Sequence, residues 1–553
     1  MSCGRLLVAS LGLALAATLI AQDGLTGRQE QLVDLLFHQY DRDDTPGAVV
    51  GIVKGGEFVY KKAFGMADME RNVPLSTDMT FYVASVSKQF TTTLILLLEE
   101  EGKLAITDDI RKYLPEMQDY GHTITIRHLM NHTSGVRDIY YLRRMRGEQT
   151  DAHPGSPEDF LELLTNQKAL NFTPGERYLY SNGAYFLLRL IVERVRGESF
   201  EDFAEAKIFG PLEMGSSSFH RSPGDFVKNR AINYTGSIEG GWSNRLLIDY
   251  VSGPRGLRTT LNDMAKWTSN FTKNALGGGD QSLIERLVSR SKFNSGRDYR
   301  YANGIENANY KGKTVYFHGG DWLGYRAFVS HFPEHDTSII ILGNIGSLNT
   351  SGLNWQIADT VIPGLDHSRK PGQKTIDGTG LDHSKYVGLY RARDGVFINV
   401  LSDGEKLYAA GIPGGYVEFV SEETLWEPGL DAPWIQSDGL SFTYKFGDAK
   451  PTIIGHPPFG DIVFEKVERV EYDEDDLKEF EGTFYSEEID ATHVITFANG
   501  RLSLSINGNS QSLSVTEWGE FRSRVGMLMF NQDRSGYEIT SRRAFGVKFK
   551  RVS

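Results

Sequence analysis

Strand-like sequence stands at the two ends of residues 26–365 and helix-like sequence fills the middle, which sharply limits the folds open to this chain. Near the start, "GAVVGIVKGG" and "EFVYKKAFG" are β-like runs meeting at Gly55-Gly56, as in a hairpin. β signals return only with "KTVYFHGG", "YRAFVSHFP" and "TSIIILGNI", after which "NWQIADTVI" is helix-like. From Thr107 to about Lys292 the pieces are amphipathic, for example "PEDFLELLTNQ" and "YFLLRLIVERVRGESFEDFAEAKIF". The expected solution is one antiparallel sheet made from N- and C-terminal parts, with flanking helices and a helical subdomain inserted between them. "SKQFTTTLILLLEEEGKL", Leu-rich and ending at Gly102-Lys103, is the best candidate for a buried helix.

The chain continues to residue 553, too long for one ordinary core. "DHSRKPGQKTIDGTGLDHSK" is rich in Gly, Lys and Asp and reads as a linker. Beyond it short alternating runs dominate, with Asp403-Gly404 and Asn499-Gly500 as hairpin turns. This region repeats: "YVGLY" (386–390) matches "FEGTF" (480–484), and "VFEKV" matches "VKFKRV", each closing its unit. The two glycines, Gly388 and Gly482, are 94 residues apart. Two small antiparallel β-barrels, lipocalin-like, are expected rather than one large sandwich. The division is then 24–365, a linker over 366–380, and barrels over 381–468 and 474–553.

The first residues hold one basic side chain, Arg5, and an uncharged apolar run of 16 residues, Leu6 to Ala21. That run is short for a span, which needs roughly 20 residues, and fits a signal peptide over 1–21. An exported protein, periplasmic or secreted, with no membrane span after cleavage is expected. The only cysteine, Cys3, lies inside that leader, so the mature chain has no disulfide and no thiolate chemistry. The net charge of −13 argues against nucleic acid and anionic membranes as partners.

Three segments carry candidate chemistry. In "FYVASVSKQF", a helix starting near Ser85 puts Ser85 and Lys88 on one face, three residues apart, while Ser87 points about 100° away from Lys88. A serine beside a lysine can be a nucleophile beside its base. In "FTPGERYLYSNGAY", alternation puts Tyr180 and Asn182 on one side of an extended segment, the phenol able to relay a proton and the carboxamide to hold an amide. Read alone, it describes a helix cap with a packed tyrosine. In "VYFHGGDWLGYRAF", His318-Gly319-Gly320 ends a strand-like run, and its glycines leave room for a substrate backbone. His128 and His132, four apart, are a formal metal pair.

Together, in this order, these segments resemble the serine β-lactamase and penicillin-binding-protein superfamily, in its class C, esterase and D-aminopeptidase branch. "ITIRHLMNHTSGV" and "GPRGLRTTLNDMAKW" add to the likeness, which spans roughly 26–365. The two barrels behind such a domain look like the three-domain arrangement of D-aminopeptidases. The resemblance implies a serine hydrolase working through an acyl-enzyme, without cofactor or metal. Ser85 would be the nucleophile, Lys88 its base, and Tyr180 the donor to the leaving group. Asn182, His318, Gly319 and Gly320 would line the substrate site, and the backbone N–H groups of Ser85 and Asp321 would form the oxyanion hole. "RHLMNHTSG" would be a structural segment of the family rather than a metal site. His-Gly-Gly stands where β-lactamases usually have Lys-Thr-Gly, which removes the threonine that meets a β-lactam carboxylate and leaves His318 as a chargeable group. Small amides or esters, D-amino-acid peptides first, are the expected substrates, with a broad carboxylesterase, a β-lactamase or a non-turnover binding protein as alternatives. The sequence does not set oligomeric state.

Overall fold

The computed structural model describes residues 24–150, 155–222, 224–245, 251–278, 280–367, 381–393, 395–404, 406–410, 416–421, 424–427, 440–445, 452–455 and 461–553. The signal peptide read over 1–21 and most of the linker, 368–380, lie outside these residues.

Six antiparallel strands form the central sheet, in the spatial order Glu306–Tyr310, Lys313–Trp322, Tyr325–Phe332, Thr337–Gly343, Ala48–Lys54, Glu57–Phe64. The N- and C-terminal parts meet where Ala48 faces Gly343 and Lys54 faces Thr337. Alternation then decides the layers. Ala48, Val50 and Ile52 pack with Val33 and Phe37 of the helix Gly27–Phe37 and with Trp355 of the helix Thr350–Val361. Val49 and Val53 turn to the opposite side, toward the cluster of Leu261 and Trp267 from the helix Leu261–Lys273. Both faces are covered, so the strand Thr337–Gly343 is buried along its whole length and its sequence has no polar face.

The helix Ser87–Glu100 lies inside this second layer. Phe90 stacks on Trp267 at 4.1 Å, and the Trp267 indole N–H donates to Gln89 at 2.9 Å. Its three buried threonines are poor helix formers that need partners. They find them: Thr91 donates to the Gly253 carbonyl (2.7 Å), Thr92 to that of Asn303 (2.8 Å) and Thr93 to that of Gln89 (2.8 Å). The first two of these bonds reach outside the helix and fix its rotation, and with it the direction of Lys88.

The repeated region forms two closed eight-stranded antiparallel barrels, running from Gly388–Ala392 to Ile462–Val467 and from Gly482–Ser486 to Ala544–Arg551. Each closes by pairing its last strand with its first, Leu389 facing Val467 and Phe484 facing Arg551. Gly388 and Gly482, matched in the repeat, open the two first strands.

The barrels dock differently. The second is joined to the helical part of the first domain by a buried ion pair, Arg137–Glu488 at 2.6 Å, whose side chains are 1% and 6% exposed. Gln167 donates to the Glu488 carbonyl (2.9 Å), and His493 Nε2 donates to the Met145 carbonyl (2.7 Å). Its apolar interior is continuous with that of the first domain, Phe484 and Ile506 sharing a cluster with Leu142 and Met145. The first barrel keeps a core of its own around Tyr390, Val400 and Phe464. It meets the first domain through a surface pair, Arg297–Asp461 at 2.9 Å, and the second barrel through Phe397 on Trp518.

Candidate active site

The Ser-Lys segment enters after the strand Phe81–Tyr82 as one 3-10 turn, Ala84–Val86, before the regular helix starts at Ser87. The helix therefore begins two residues later than the spacing predicts, with Ser85 inside the turn. Ser85 and Lys88 still face each other, Lys88 Nζ standing 3.4 Å from Ser85 Oγ. Ala84 holds φ at +47°, a left-handed conformation that costs a residue with a β-carbon strain. Val83 helps to hold it, donating to the Leu257 carbonyl at 3.1 Å. Ser87 is fully buried, and its hydroxyl accepts the Leu257 N–H at 3.1 Å. Of the two serines, only Ser85 lines the cleft.

Lys88 has no exposed surface. Its ammonium donates to Asn182 Oδ1 (3.0 Å) and to the Pro254 carbonyl (2.6 Å), and lies 4.6 Å above the Tyr180 ring. Gly253 at φ +100° turns the chain so that these two carbonyls address the helix; a Cβ there would sit 2.9 Å from the Tyr185 carbonyl. Burial drives the Lys88 pKa well below its ordinary value; Asp138 opposes this, and Arg543 and Arg255 add to it.

Tyr180 and Asn182 both line the cleft, and Ser181 between them is extended and serves as N-cap of the helix Asn182–Arg196. Asn182 Nδ2 donates to Asp138 Oδ2 (2.9 Å). A carboxylate only accepts, so the amide turns its N–H groups to Asp138 and its oxygen to Lys88, and its second N–H has no partner among the described residues. Burial raises the Tyr180 phenol above its ordinary pKa, against the pull of a hydrogen bond with Ser85.

The strand Lys313–Trp322 runs unbroken through His318-Gly319-Gly320, correcting the reading that the motif ends a strand; the turn comes later, at Leu323-Gly324. Both glycines line the cleft, and Gly320 also makes room for the protein itself. A Cβ on Gly320 would stand 2.1 Å from the Val83 carbonyl, so this glycine lets the strand press against the turn that carries Ser85. His318, read as a chargeable group, is buried with both ring nitrogens engaged. Its Nδ1 donates to the Gly319 carbonyl (2.6 Å), which leaves Nε2 to accept the Tyr301 hydroxyl (3.1 Å). Burial, then the Lys88 charge, push its pKa down to about 3. Pairing with the strand Glu306–Tyr310 stops at Phe317. Trp322 and Tyr325 flank a two-residue turn and exchange hydrogen bonds, so Asp321, one residue back, turns its N–H to the open edge.

Three side chains around the cleft, Asp138, Tyr301 and Arg543, carry no readable signal in sequence, and His132, read there only in a formal metal pair and a family segment, joins them. Asp138 caps the helix Ile139–Met145 and anchors Asn182. His132 packs under the Tyr180 ring at 4.2 Å and accepts the Ser181 N–H at 3.1 Å. The formal metal pair separates, because His128 Nδ1 accepts the Thr125 N–H in a capping box. Tyr301 orients His318, and Arg543 comes from the second barrel, its guanidinium 4.6 Å from the Tyr180 ring. Ser85, Tyr180, Asn182, His318 and Arg543 share one cleft of about 640 Å³.

The family model described as Beta-lactamase matches residues 32–361, more than half of the chain. The chain belongs to the beta-lactamase family. As a member it is a serine hydrolase of the β-lactamase and penicillin-binding-protein superfamily. This family member is 30% identical over 378 residues to penicillin-binding protein 4* of Bacillus subtilis (strain 168), covering 64% of this chain and 81% of that one. It is 27% identical over 373 residues to a D-aminopeptidase of Gluconobacter oxydans (strain 621H), covering 67% of each. Among solved structures, its fold matches the octameric penicillin-binding protein homologue from Pyrococcus abyssi with a TM-score of 0.54 at 22% identity, over 79% of this chain and 99% of that one.

Proposed function

We propose that Ser85 is the nucleophile of an acyl-enzyme mechanism acting on small amides and esters, D-amino-acid peptides first. The observation that carries this reading is the buried Lys88, its pKa held down, 3.4 Å from Ser85 Oγ. A neutral amine there takes the Ser85 proton as the oxygen attacks the carbonyl carbon. The N–H groups of Ser85 and Asp321 receive the oxyanion. Tyr180, kept protonated by burial, gives its proton to the leaving nitrogen or oxygen and regains one from Lys88. Water then enters by the reverse proton path and releases the acid. Asn182 offers its free N–H to the substrate amide, and Asp138 and His132 position Asn182 and Tyr180.

Preference for D-amino-acid substrates is supported by the likeness to D-aminopeptidases. The neutral His318 speaks against a cationic handle at the place of the Lys-Thr pair. The short leader supports export with cleavage near Ala21, and no helix among the described residues is long and apolar enough to cross a membrane. Comparing kcat/KM on D- and L-alanyl p-nitroanilide and on p-nitrophenyl acetate tests the substrate class. The D-amide is expected to exceed its L counterpart at least tenfold; equal turnover of the two, with the ester strongly preferred, would replace this reading by a carboxylesterase.

A further inference from the structure

The hairpin that joins Gly536–Ser541 to Ala544–Arg551 in the second barrel has Arg542-Arg543 at its turn, and this turn is built into the first domain. The Arg543 carbonyl accepts the Asp138 N–H (2.9 Å) and the Asn171 Nδ2 (3.1 Å). Asn171 Oδ1 in turn accepts the Phe545 N–H (2.8 Å). Arg137, already paired with Glu488, donates to the Gly546 carbonyl (3.1 Å). The backbone on both sides of Arg543 is thus fixed, and its half-buried side chain points into the cleft over Tyr180.

The carboxylates that line the cleft are engaged elsewhere. Asp138 holds the Asn182 amide and the Tyr140 N–H. Glu306 pairs with Arg300, and Asp321 with Arg326. The Arg543 guanidinium is different: it rests on the rings of Tyr180 and Tyr141, feels the Asp138 charge without pairing with it, and makes no hydrogen bond or ion pair with a described residue. A guanidinium stays charged at any working pH and offers a planar fork of donors that fits a carboxylate. Arg144, over the other contact of the Tyr141 ring, adds a second positive charge at the mouth. Neither ring nitrogen of His318 is free to bind an anion.

We propose that Arg543 is the carboxylate anchor of this cleft, selecting substrates whose leaving group carries a free carboxylate. This inference rests on the acyl-enzyme reading, in which Tyr180 marks the leaving-group side. Arg543 stacks on that same ring, so the anion it receives belongs to the departing residue. The substrate class becomes peptides or depsipeptides cut just before a C-terminal residue with its carboxylate free. The reacting bonds are those already described; Arg543 adds binding and no new step.

The test uses the full chain and two matched pairs: D-alanyl-D-lactate and D-alanyl-D-lactamide, then the same pair with L-alanine as the acyl group, with alanine release measured. In the wild type, kcat/KM for the free acid should exceed that for the amide about tenfold to a hundredfold, as expected of a charge-assisted bidentate contact. Arg543→Gln should bring the ratio to about 1, Arg543→Glu should bring it below 1, and Arg543→Lys should leave it in between. Labelling of each variant by a serine-directed fluorophosphonate shows that the site is assembled; where Arg543→Gln does not label, the lysine variant carries the comparison. A free-acid to amide ratio unchanged in Arg543→Gln, or a wild type that prefers the amide, would overturn the proposal. Equal turnover of D- and L-alanyl substrates would count against the D-peptide reading alone, since the ratio within either series still reports on Arg543.

Discussion

The two barrels share a topology and an internal repeat, yet they relate to the catalytic domain in opposite ways. The second shares an apolar core with it, buries the Arg137–Glu488 pair against it and sends Arg543 into the cleft. The first keeps a separate core and touches the same domain through an exposed pair, Arg297–Asp461. Duplication of a barrel therefore does not duplicate its role. What differs is where polar groups are buried, and buried groups are the ones whose loss is costly.

That contrast can be broken by mutation. The largest effect is expected from Glu488→Ala, which strands Arg137 and the Lys168 and Lys548 N–H groups that Glu488 accepts. Removing one partner of a buried pair costs about 3–5 kcal/mol, so chemical unfolding should shift strongly. Asn171→Ala removes both bonds to the Arg543 turn and should cost about 1–3 kcal/mol, together with the free-acid preference. A cost of Glu488→Ala no larger than that of a surface pair would put the second barrel on the same footing as the first.

A subtler difference concerns pH. Lys88 works as a base only when neutral, so activity is lost as pH falls through its pKa. Burial lowers that pKa first, Asp138 raises it, and Arg543 lowers it further. Removing the arginine charge in Arg543→Gln lets the pKa rise, so the acid limb of kcat/KM should move to higher pH. Asp138→Asn removes the opposing charge, and the limb should move to lower pH. His318, already neutral down to about pH 3, should add no limb of its own between pH 5 and 8. A limb that stays in place in Arg543→Gln would separate the second barrel from the catalytic electrostatics. The smallest effect belongs to the first barrel: Arg297→Ala should cost less than about 1 kcal/mol and leave the limb in place.

The parts of this molecule that were legible in sequence are those set by local period. The short apolar, β-branched runs "GAVVGIVK" and "TSIIILG" point to the sheet, and the doubled YVGLY/FEGTF pattern points to two barrels. The three-residue spacing of Ser85 and Lys88 survives the short 3-10 turn because both residues stay on one face. Other features depend on contacts far along the chain. Arg543 and Asp138 meet although about 400 residues separate them, and nothing in "SRRAFG" announces a turn that enters a cleft. His318 reads as a chargeable group in sequence, and only its burial beside Lys88 and its two filled ring nitrogens make it neutral. Gly320 reads as space for a ligand, and its close approach to Val83 shows only in the folded chain.

The central claim is that Ser85, held beside the buried Lys88, carries the reacting oxygen of this serine hydrolase. Intact-protein mass after treatment with a fluorophosphonate tests it most directly, on the wild type, Ser85→Ala and Ser87→Ala. One adduct is expected on the wild type, none on Ser85→Ala, and one again on Ser87→Ala, whose hydroxyl only receives the Leu257 N–H. An adduct on Ser85→Ala equal to that of the wild type would contradict the account.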